Sequence, residues 1–154
     1  MSTLSRAIAI AAEAHAGQTD RGGQPYIFHP IRVMLAVQTD DERVVAILHD
    51  VLEDCPQWTG ARLRDEHFPD HVVTAIETLT RVPNEAYIHY VRRCGASPLA
   101  RAVKIADLRD NMDMSRLRPD DRGKQVTRER QERYAQALGE LLALQAIASR
   151  RSPA

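Results

Sequence analysis

Apolar residues recur at three- and four-residue spacing along nearly the whole of this chain, a period that fits helices and not the two-residue alternation of half-buried strands. Thr3 can cap a first helix that carries Ile8, Ala11, Ala12 and His15 along one side and stops at Gly17. The stretch "QTDRGGQPY" then reads as a loop by its Gly and Pro content. Pro30 suits the start of a second helix, whose apolar face is Ile31, Val33, Met34, Leu35 and Val37. Asp40 or Asp41 is expected to cap a third helix running through Val51. "PQWTG" interrupts the pattern, a short polar helix follows to about Glu66, and Pro69 opens a helix with Val72, Val73, Ile76 and Leu79 on one side. Beyond the connector "RVPNE", helices are expected near 85–94, 97–112 and 125–149. Alternating β-branched and aromatic runs are missing, and aromatics make up 5% of the residues, so the expected fold class is all-α.

With 154 residues, 44% of them hydrophobic and 27% charged, the chain has the size and composition of one soluble domain. That domain is expected over residues 1–150, with 151–154 as a disordered tail. Basic and acidic residues number 21 each, so no global positive field exists to hold nucleic acid or an acidic membrane. An anionic ligand has to be met by local charge. The Arg-rich run "RGKQVTRERQERY" accordingly reads as a solvated helix face, and no nucleic-acid partner is expected. Cys55 and Cys94 stand far apart in no metal-ligand pattern, which suits free thiols in a reducing cytoplasm. No run approaches the roughly 20 apolar residues of a membrane span, and the N-terminus has no basic start. A cytoplasmic protein is expected, with no membrane partner and with homo-oligomerisation left open.

One segment does not fit a plain helical core. "ILHDVLEDC" places His49, Asp50, Glu53 and Asp54 inside an apolar run, although such groups are seldom buried without partners. On a continuous helix Asp50 stands three and four residues from Glu53 and Asp54, and His49 four from Glu53, so the groups project together. Three acids on one small surface repel one another, and a cation, a shared proton or full solvation relieves that repulsion. Two further places bear on the choice. "PYIFHP" puts His29 at a loop-to-helix junction, and "VKIADLRDNM" puts Asp107 in a mostly apolar segment with Asn111 one turn later. His29, His49, Asp50 and Asp107 together make a mixed nitrogen and oxygen set of the kind that holds a divalent first-row metal; Mn²⁺ or Fe²⁺ fits it, and Zn²⁺ is compatible.

"HDVLED", preceded by His29 and followed by Asp107, resembles the order of the HD-domain metal-dependent phosphohydrolases. "AHAGQTDRGGQPYIFHP", "ILHDVLEDC", "LTRVPNEAYIHYV" and "VKIADLRDN" resemble successive motifs of the RelA/SpoT-type hydrolase domain, especially its free-standing form, the small alarmone hydrolases. The likeness runs from about residue 8 to 145, and no synthetase domain is expected to follow. It implies a helical HD-domain bundle that binds Mn²⁺ and hydrolyses the 3′-pyrophosphate of guanosine tetra- and pentaphosphate, (p)ppGpp. It further implies that His29, His49, Asp50 and Asp107 are metal ligands and that Glu53 and Asp54 position and activate the attacking water. Asn111 matches a position near the nucleoside, Arg130 and Tyr134 resemble a phosphate-contacting pair on the last helix, and Lys104 and Arg21 add charge for the substrate.

The chain departs from that pattern at three places. Asp20-Arg21 stands where relatives usually carry Arg-Lys beside the base and ribose-phosphate, Cys55 replaces the usual Thr, and Asp113 stands where longer enzymes often carry Arg. Asp20 motivates an alternative substrate, another phosphorylated nucleotide such as the 2′-phosphate of NADPH. A second alternative is a non-catalytic helical module that binds a nucleotide, against which the Glu53-Asp54 pair argues. His15 is expected to be a buried, hydrogen-bonded histidine; His67, His71 and His89 are expected on the surface or in packing roles, Trp58 at the core edge and Tyr87 in packing.

Overall fold

Thr3 accepts a hydrogen bond from the Arg6 amide and starts α1 (Leu4–Ala14), which ends at His15 before Gly17 takes a left-handed φ of 79°. This computed structural model describes residues 3–151. The expected tail at 151–154 falls at and beyond that limit: Arg151 closes the last helix, and 152–154 lie outside the described residues. After α1 the loop folds back on itself through paired backbone contacts, Asp20 N to Gln24 O at 2.8 Å and Tyr26 N to Gln18 O at 2.9 Å. An isolated bridge between Thr19 and Pro25 completes it; the described residues form no strand. The loop leads into α2 (Phe28–Ala36), which starts two residues before the expected Pro30.

α3 (Asp40–Leu48) is the central helix. Its cap is Thr39 and not Asp40 or Asp41: the Thr39 side chain accepts from Glu42 N while the Glu42 carboxylate accepts from Thr39 N, a reciprocal capping box. Asp40 and Asp41 fill the first turn, where they favour the positive end of the helix dipole. Val44 to Leu48 are all buried, because α3 packs against α1, α2, α6 and α8. The expected continuation through Val51 is broken. The chain turns at His49 and Asp50 and resumes as a separate short helix, α4 (Val51–Asp54).

The remaining elements enclose this axis. α5 (Gly60–Asp65), capped by Thr59, packs on α6 (Asp70–Leu79), whose Val72, Val73, Ile76 and Leu79 are buried as their spacing requires. α7 (Tyr87–Ala96) and α8 (Pro98–Met112) follow, the latter with Pro98 in its first turn and Ser97 as cap. A 3-10 turn (Met114–Arg116) and the short α9 (Pro119–Arg122), neither foreseen from periodicity, lead to α10 (Gln125–Arg151). α10 packs on α7 and α8 through Ala137 and Leu141, so closely that a Cβ on Gly95 would lie 2.5 Å from Leu144 Cδ1. The result is an all-α, multi-helix, single-domain bundle, as expected. No helix among the described residues is long and apolar enough to cross a membrane.

Candidate metal centre

Five helices (α2, α4, α7, α8 and α10), the loop after α1 and the turn between α3 and α4 converge on a cavity of about 650 Å³. α2 supplies His29, the turn between α3 and α4 supplies Asp50 with the buried His49 beside it, α4 supplies Glu53 and Asp54, and α8 supplies Lys104, Asp107 and Asn111. The break after Leu48 matters here. On a continuous helix the dyad would follow the buried stripe of α3; the turn, with Asp50 at φ −98°, lets the Asp50 carboxylate swing toward both imidazoles. Asp50 Oδ2 lies 3.0 Å from His49 Nε2 and 3.6 Å from His29 Nε2. One ligand atom each from His29, His49 and Asp50 fall within 4.8 Å of one another, a cluster able to coordinate a divalent metal. Asp107 stands beside it, with Oδ1 at 3.1 Å from His29 Nε2 and 3.7 Å from His49 Nε2.

The hydrogen bonds fix the tautomers, and both point the same way. His49 Nδ1 meets the Ala46 carbonyl at 2.7 Å and His29 Nδ1 meets Asp110 Oδ2 at 2.7 Å; both partners are acceptors, so each Nδ1 carries the proton. Each Nε2 faces carboxylate oxygens. His49 Nε2 is buried and has no hydrogen-bond partner, its approach to Asp50 being off the line a hydrogen bond needs. A buried gathering of carboxylates and imidazole nitrogens calls for positive charge, supplied by protons on the imidazoles or by a metal that displaces them, and the donor set fits a metal held by these residues. The electrostatics favour the protons while no ion is bound. Burial opposes the charged imidazoles, but the acids around them outweigh it and raise both His29 and His49, and burial is likewise outweighed at Asp50, held down by His49, and at Asp107, held down by Lys104.

A second layer holds the first. Lys104 Nζ lies 2.7 Å from Asp107 Oδ2 and Asn111 Nδ2 donates to Asp107 Oδ1 at 2.6 Å. Lys104, expected to offer charge to the substrate, thus has its ammonium committed to Asp107, although it still lines the cavity wall. Tyr26 donates to Asp50 Oδ2 at 2.5 Å, and burial raises its pKa first, the Asp50 charge second. His15, one turn of chain from the loop, is buried with Nδ1 at 2.9 Å from Gln18 Oε1, as expected of a packed histidine. Its Nε2 is buried and unpartnered.

Glu53 and Asp54 lie one turn beyond the cluster, on the cavity wall and more exposed than the candidate ligands. Glu53 Oε2 accepts from the Arg81 amide at 3.1 Å, while burial and then the Asp50 charge push the Asp54 carboxyl up. Across the cavity stand Arg21, from the loop, and Arg130 and Tyr134, one turn apart on α10. Neither arginine joins any ion pair among the described residues, and Arg130 is pushed down by burial first and then by the nearby Arg21 charge. Uncompensated guanidinium groups in a concavity suit phosphate oxygens. Asp20, also on the wall, turns its carboxylate back to the Gln24 amide at 2.9 Å, and Asp113 pairs with Arg116 at 2.6 Å.

All the candidate residues but His49 therefore line one cavity, and His49 is buried beside Asp50. Sequence reasoning missed Tyr26, Asp110 and Arg81. For Tyr26 and Asp110 a faint signal exists, one turn or less from His29 and Asp107 in "PYIFHP" and "ADLRDN"; for Arg81 none does.

The HD domain family profile matches residues 7–142. Guanosine-3′,5′-bis(diphosphate) 3′-pyrophosphohydrolase of Vibrio cholerae is 32% identical over 148 residues, covering 86% of this chain and 21% of that protein. The bifunctional (p)ppGpp synthase/hydrolase SpoT of Escherichia coli K12 is 31% identical over the same shares, so the chain spans about a fifth of the length of these curated relatives. A solved structure described as a metazoan ortholog of SpoT that hydrolyzes ppGpp superposes with a TM-score of 0.75 at 20% identity, over 92% of this chain and 86% of that one, and it shares the fold. With that profile spanning most of the chain and the His49–Asp50 dyad set against His29 at the α3–α4 break, this chain belongs to the HD-domain family, homologous to the RelA/SpoT (p)ppGpp hydrolases.

Proposed function

We propose that this protein is an Mn²⁺-dependent phosphohydrolase that removes the 3′-pyrophosphate of (p)ppGpp, releasing pyrophosphate and GDP or GTP. The observation that carries the reading is the pair of imidazole Nε2 atoms of His29 and His49 facing Asp50 and Asp107, with Glu53 and Asp54 one turn away. His29, His49, Asp50 and Asp107 would hold the ion, with Fe²⁺ or Zn²⁺ as alternatives to Mn²⁺. A bound divalent ion polarises a phosphoryl oxygen and lowers the pKa of water. Asp54, whose carboxyl is pushed up by burial and the Asp50 charge and so is a stronger base than an ordinary carboxylate, is suited to take a proton, and Glu53, braced by the Arg81 amide, is suited to orient the water that loses it. Arg21 and Arg130 offer uncommitted guanidinium groups to phosphate, with Tyr134 one turn from Arg130 as its partner in that contact, while Asn111, whose amide nitrogen donates to Asp107, lies near the nucleoside. Lys104 serves the substrate through Asp107. The names of the homologous hydrolases support this substrate.

Asp20 and Asp113, both on the cavity wall, favour a second reading, hydrolysis of another phosphorylated nucleotide such as the 2′-phosphate of NADPH. A non-catalytic nucleotide-binding module is the third, and the exposed acids Glu53 and Asp54 speak against it. Incubation of the Mn²⁺-loaded protein with ppGpp, followed by anion-exchange chromatography, separates these. GDP and pyrophosphate in equal amounts are expected; no product from ppGpp alongside turnover of NADPH or another nucleotide establishes the second reading.

A further inference from the structure

His29 and His49 are oriented by different means. His49 Nδ1 is tied to the carbonyl of Ala46 in its own helix, which the backbone supplies whatever the side chains are. His29 Nδ1 instead meets a side chain 81 residues away, Asp110 Oδ2 at 2.7 Å. That carboxylate is held in turn: Arg32 Nε donates to Oδ1 at 2.7 Å, Arg32 Nη2 donates to Oδ2 at 3.1 Å, and Arg116 Nη2 lies 3.1 Å from Oδ2. Arg116 also donates to the Asp110 carbonyl. The geometry points to Asp110 as a positioning residue of the metal centre, its carboxylate clamped by Arg32 and Arg116 so that the His29 ring presents Nε2 toward Asp50 and Asp107.

The spacing shows how the clamp arises. His29 and Arg32 are one turn apart on α2, and Asp107 and Asp110 are one turn apart on α8, so packing α2 on α8 matches both pairs at once. His29 is thereby sandwiched between a ligand-side aspartate at Nε2 and a clamped aspartate at Nδ1. An ionised carboxylate accepts only, so it dictates which nitrogen carries the proton, and it makes the imidazole a stronger donor than a carbonyl partner does. Without Asp110 the ring is free to flip or to change tautomer, and its Nε2 lone pair is no longer committed to the centre. Such partners are worth about ten- to hundredfold in metal affinity.

The inference rests on His29 being a ligand, and not on the identity of the substrate. Mn²⁺ titration of the full chain, read by the electron paramagnetic resonance of the free ion, tests it without any turnover. Asp110→Ala should weaken Mn²⁺ binding about ten- to hundredfold, Asp110→Asn should fall between, since it keeps an acceptor and loses the charge, and Asp110→Glu should lie nearest the wild type. Wild-type affinity in Asp110→Ala, with binding lost in His29→Gln, overturns the positioning role; retained binding in His29→Gln as well overturns the ligand reading beneath it. The wild-type protein gives a readout that no folding defect can blur. Long-range ¹H–¹⁵N spectra in EDTA should show a proton on Nδ1 of His29 in both its neutral and its charged form, and a neutral ring with Nδ1 unprotonated overturns the inference.

Discussion

Replacing Lys104 by Met is the sharpest test of how the centre is held. The side chain keeps nearly the same length and its contact with the Tyr90 ring, over which the ammonium sits at 5.0 Å, but the charge beside Asp107 is gone. Lys104 is 9% exposed and Asp107 3%, so the pair is buried, and removing one partner of such a pair costs about 3–5 kcal/mol because the other is left uncompensated. Asn111 Nδ2 remains at 2.6 Å from the carboxylate, and His29 Nε2, 3.1 Å away and favoured in its protonated form by the acids around it, remains as well, which places the expected loss at the lower end, about 3 kcal/mol. For a chain of this length that is a fall in Tm of roughly 6–12 °C, measured by calorimetry in EDTA. Mn²⁺ should then restore more stability to the variant than to the wild type. Ion and ammonium compete for the same carboxylate, so removing the ammonium tightens ion binding, and ligand stabilisation grows with occupancy, about 2.7 kcal/mol at a hundredfold excess over Kd. A variant as stable as the wild type in EDTA, or a deficit that Mn²⁺ leaves unchanged, refutes this account of Lys104.

Glu53→Gln and Asp54→Asn together should abolish turnover of the substrate while Mn²⁺ content, measured by atomic absorption, stays at the wild-type level; unchanged turnover removes the pair from the mechanism. Thr39→Ala removes half of the capping box on the central helix and should cost about 1 kcal/mol, a Tm lower by roughly 2–4 °C, with no change in metal content. Burial pushes the Asp110 carboxyl up, but hydrogen bonds from His29 and Arg32 outweigh it and hold the group at about 2. Its folded value lies below its unfolded value of about 3.9, so its contribution is complete above that pH and is lost as pH falls through about 2. In EDTA the Tm gap between wild type and Asp110→Asn should therefore be full at about pH 5 and shrink steadily below about pH 4; a gap independent of pH in that window contradicts the assignment.

Helical periodicity made most of the bundle legible, and α6 buries the stripe that its spacing marks, whereas α1 turns Ala7, Ile10, Ala11 and Ala14 inward and leaves Ala12 exposed, since a helix so rich in alanine and isoleucine offers more than one apolar face. Two features of α3 were not read correctly, for different reasons. The cap was visible in "TDDE", where Thr39 and Glu42 have capping-box spacing, but the two following aspartates are themselves good caps and mask it. The break at His49–Asp50 left no mark, since both residues stay in the right-handed helical region and no Gly or Pro flags the turn. At the site, the candidate ligands His29, His49, Asp50 and Asp107 were recognisable from residue type and order, and the structure brings them to one cavity. Tyr26 and Asp110 were not, because their roles exist only in contacts 24 and 81 residues away in sequence. Lys104 was noticed for its charge, whereas its i, i+3 spacing to Asp107 already pointed to a partner on its own helix.

The joint between α3 and α4 separates two registers that a continuous helix would lock together. The depth and rotation of His49 are set by a helix whose Val44 to Leu48 are all buried, while Glu53 and Asp54 ride on a single turn of their own. That turn is anchored by Val51, which is fully buried, so its two exposed acids can shift relative to the ligands only as far as this one anchor and the partly buried Leu52 allow. Divergence of chemistry on this scaffold therefore has a small and well-defined place to begin, and an engineer seeking a different water geometry would start at Leu52 and leave Val51 as it is.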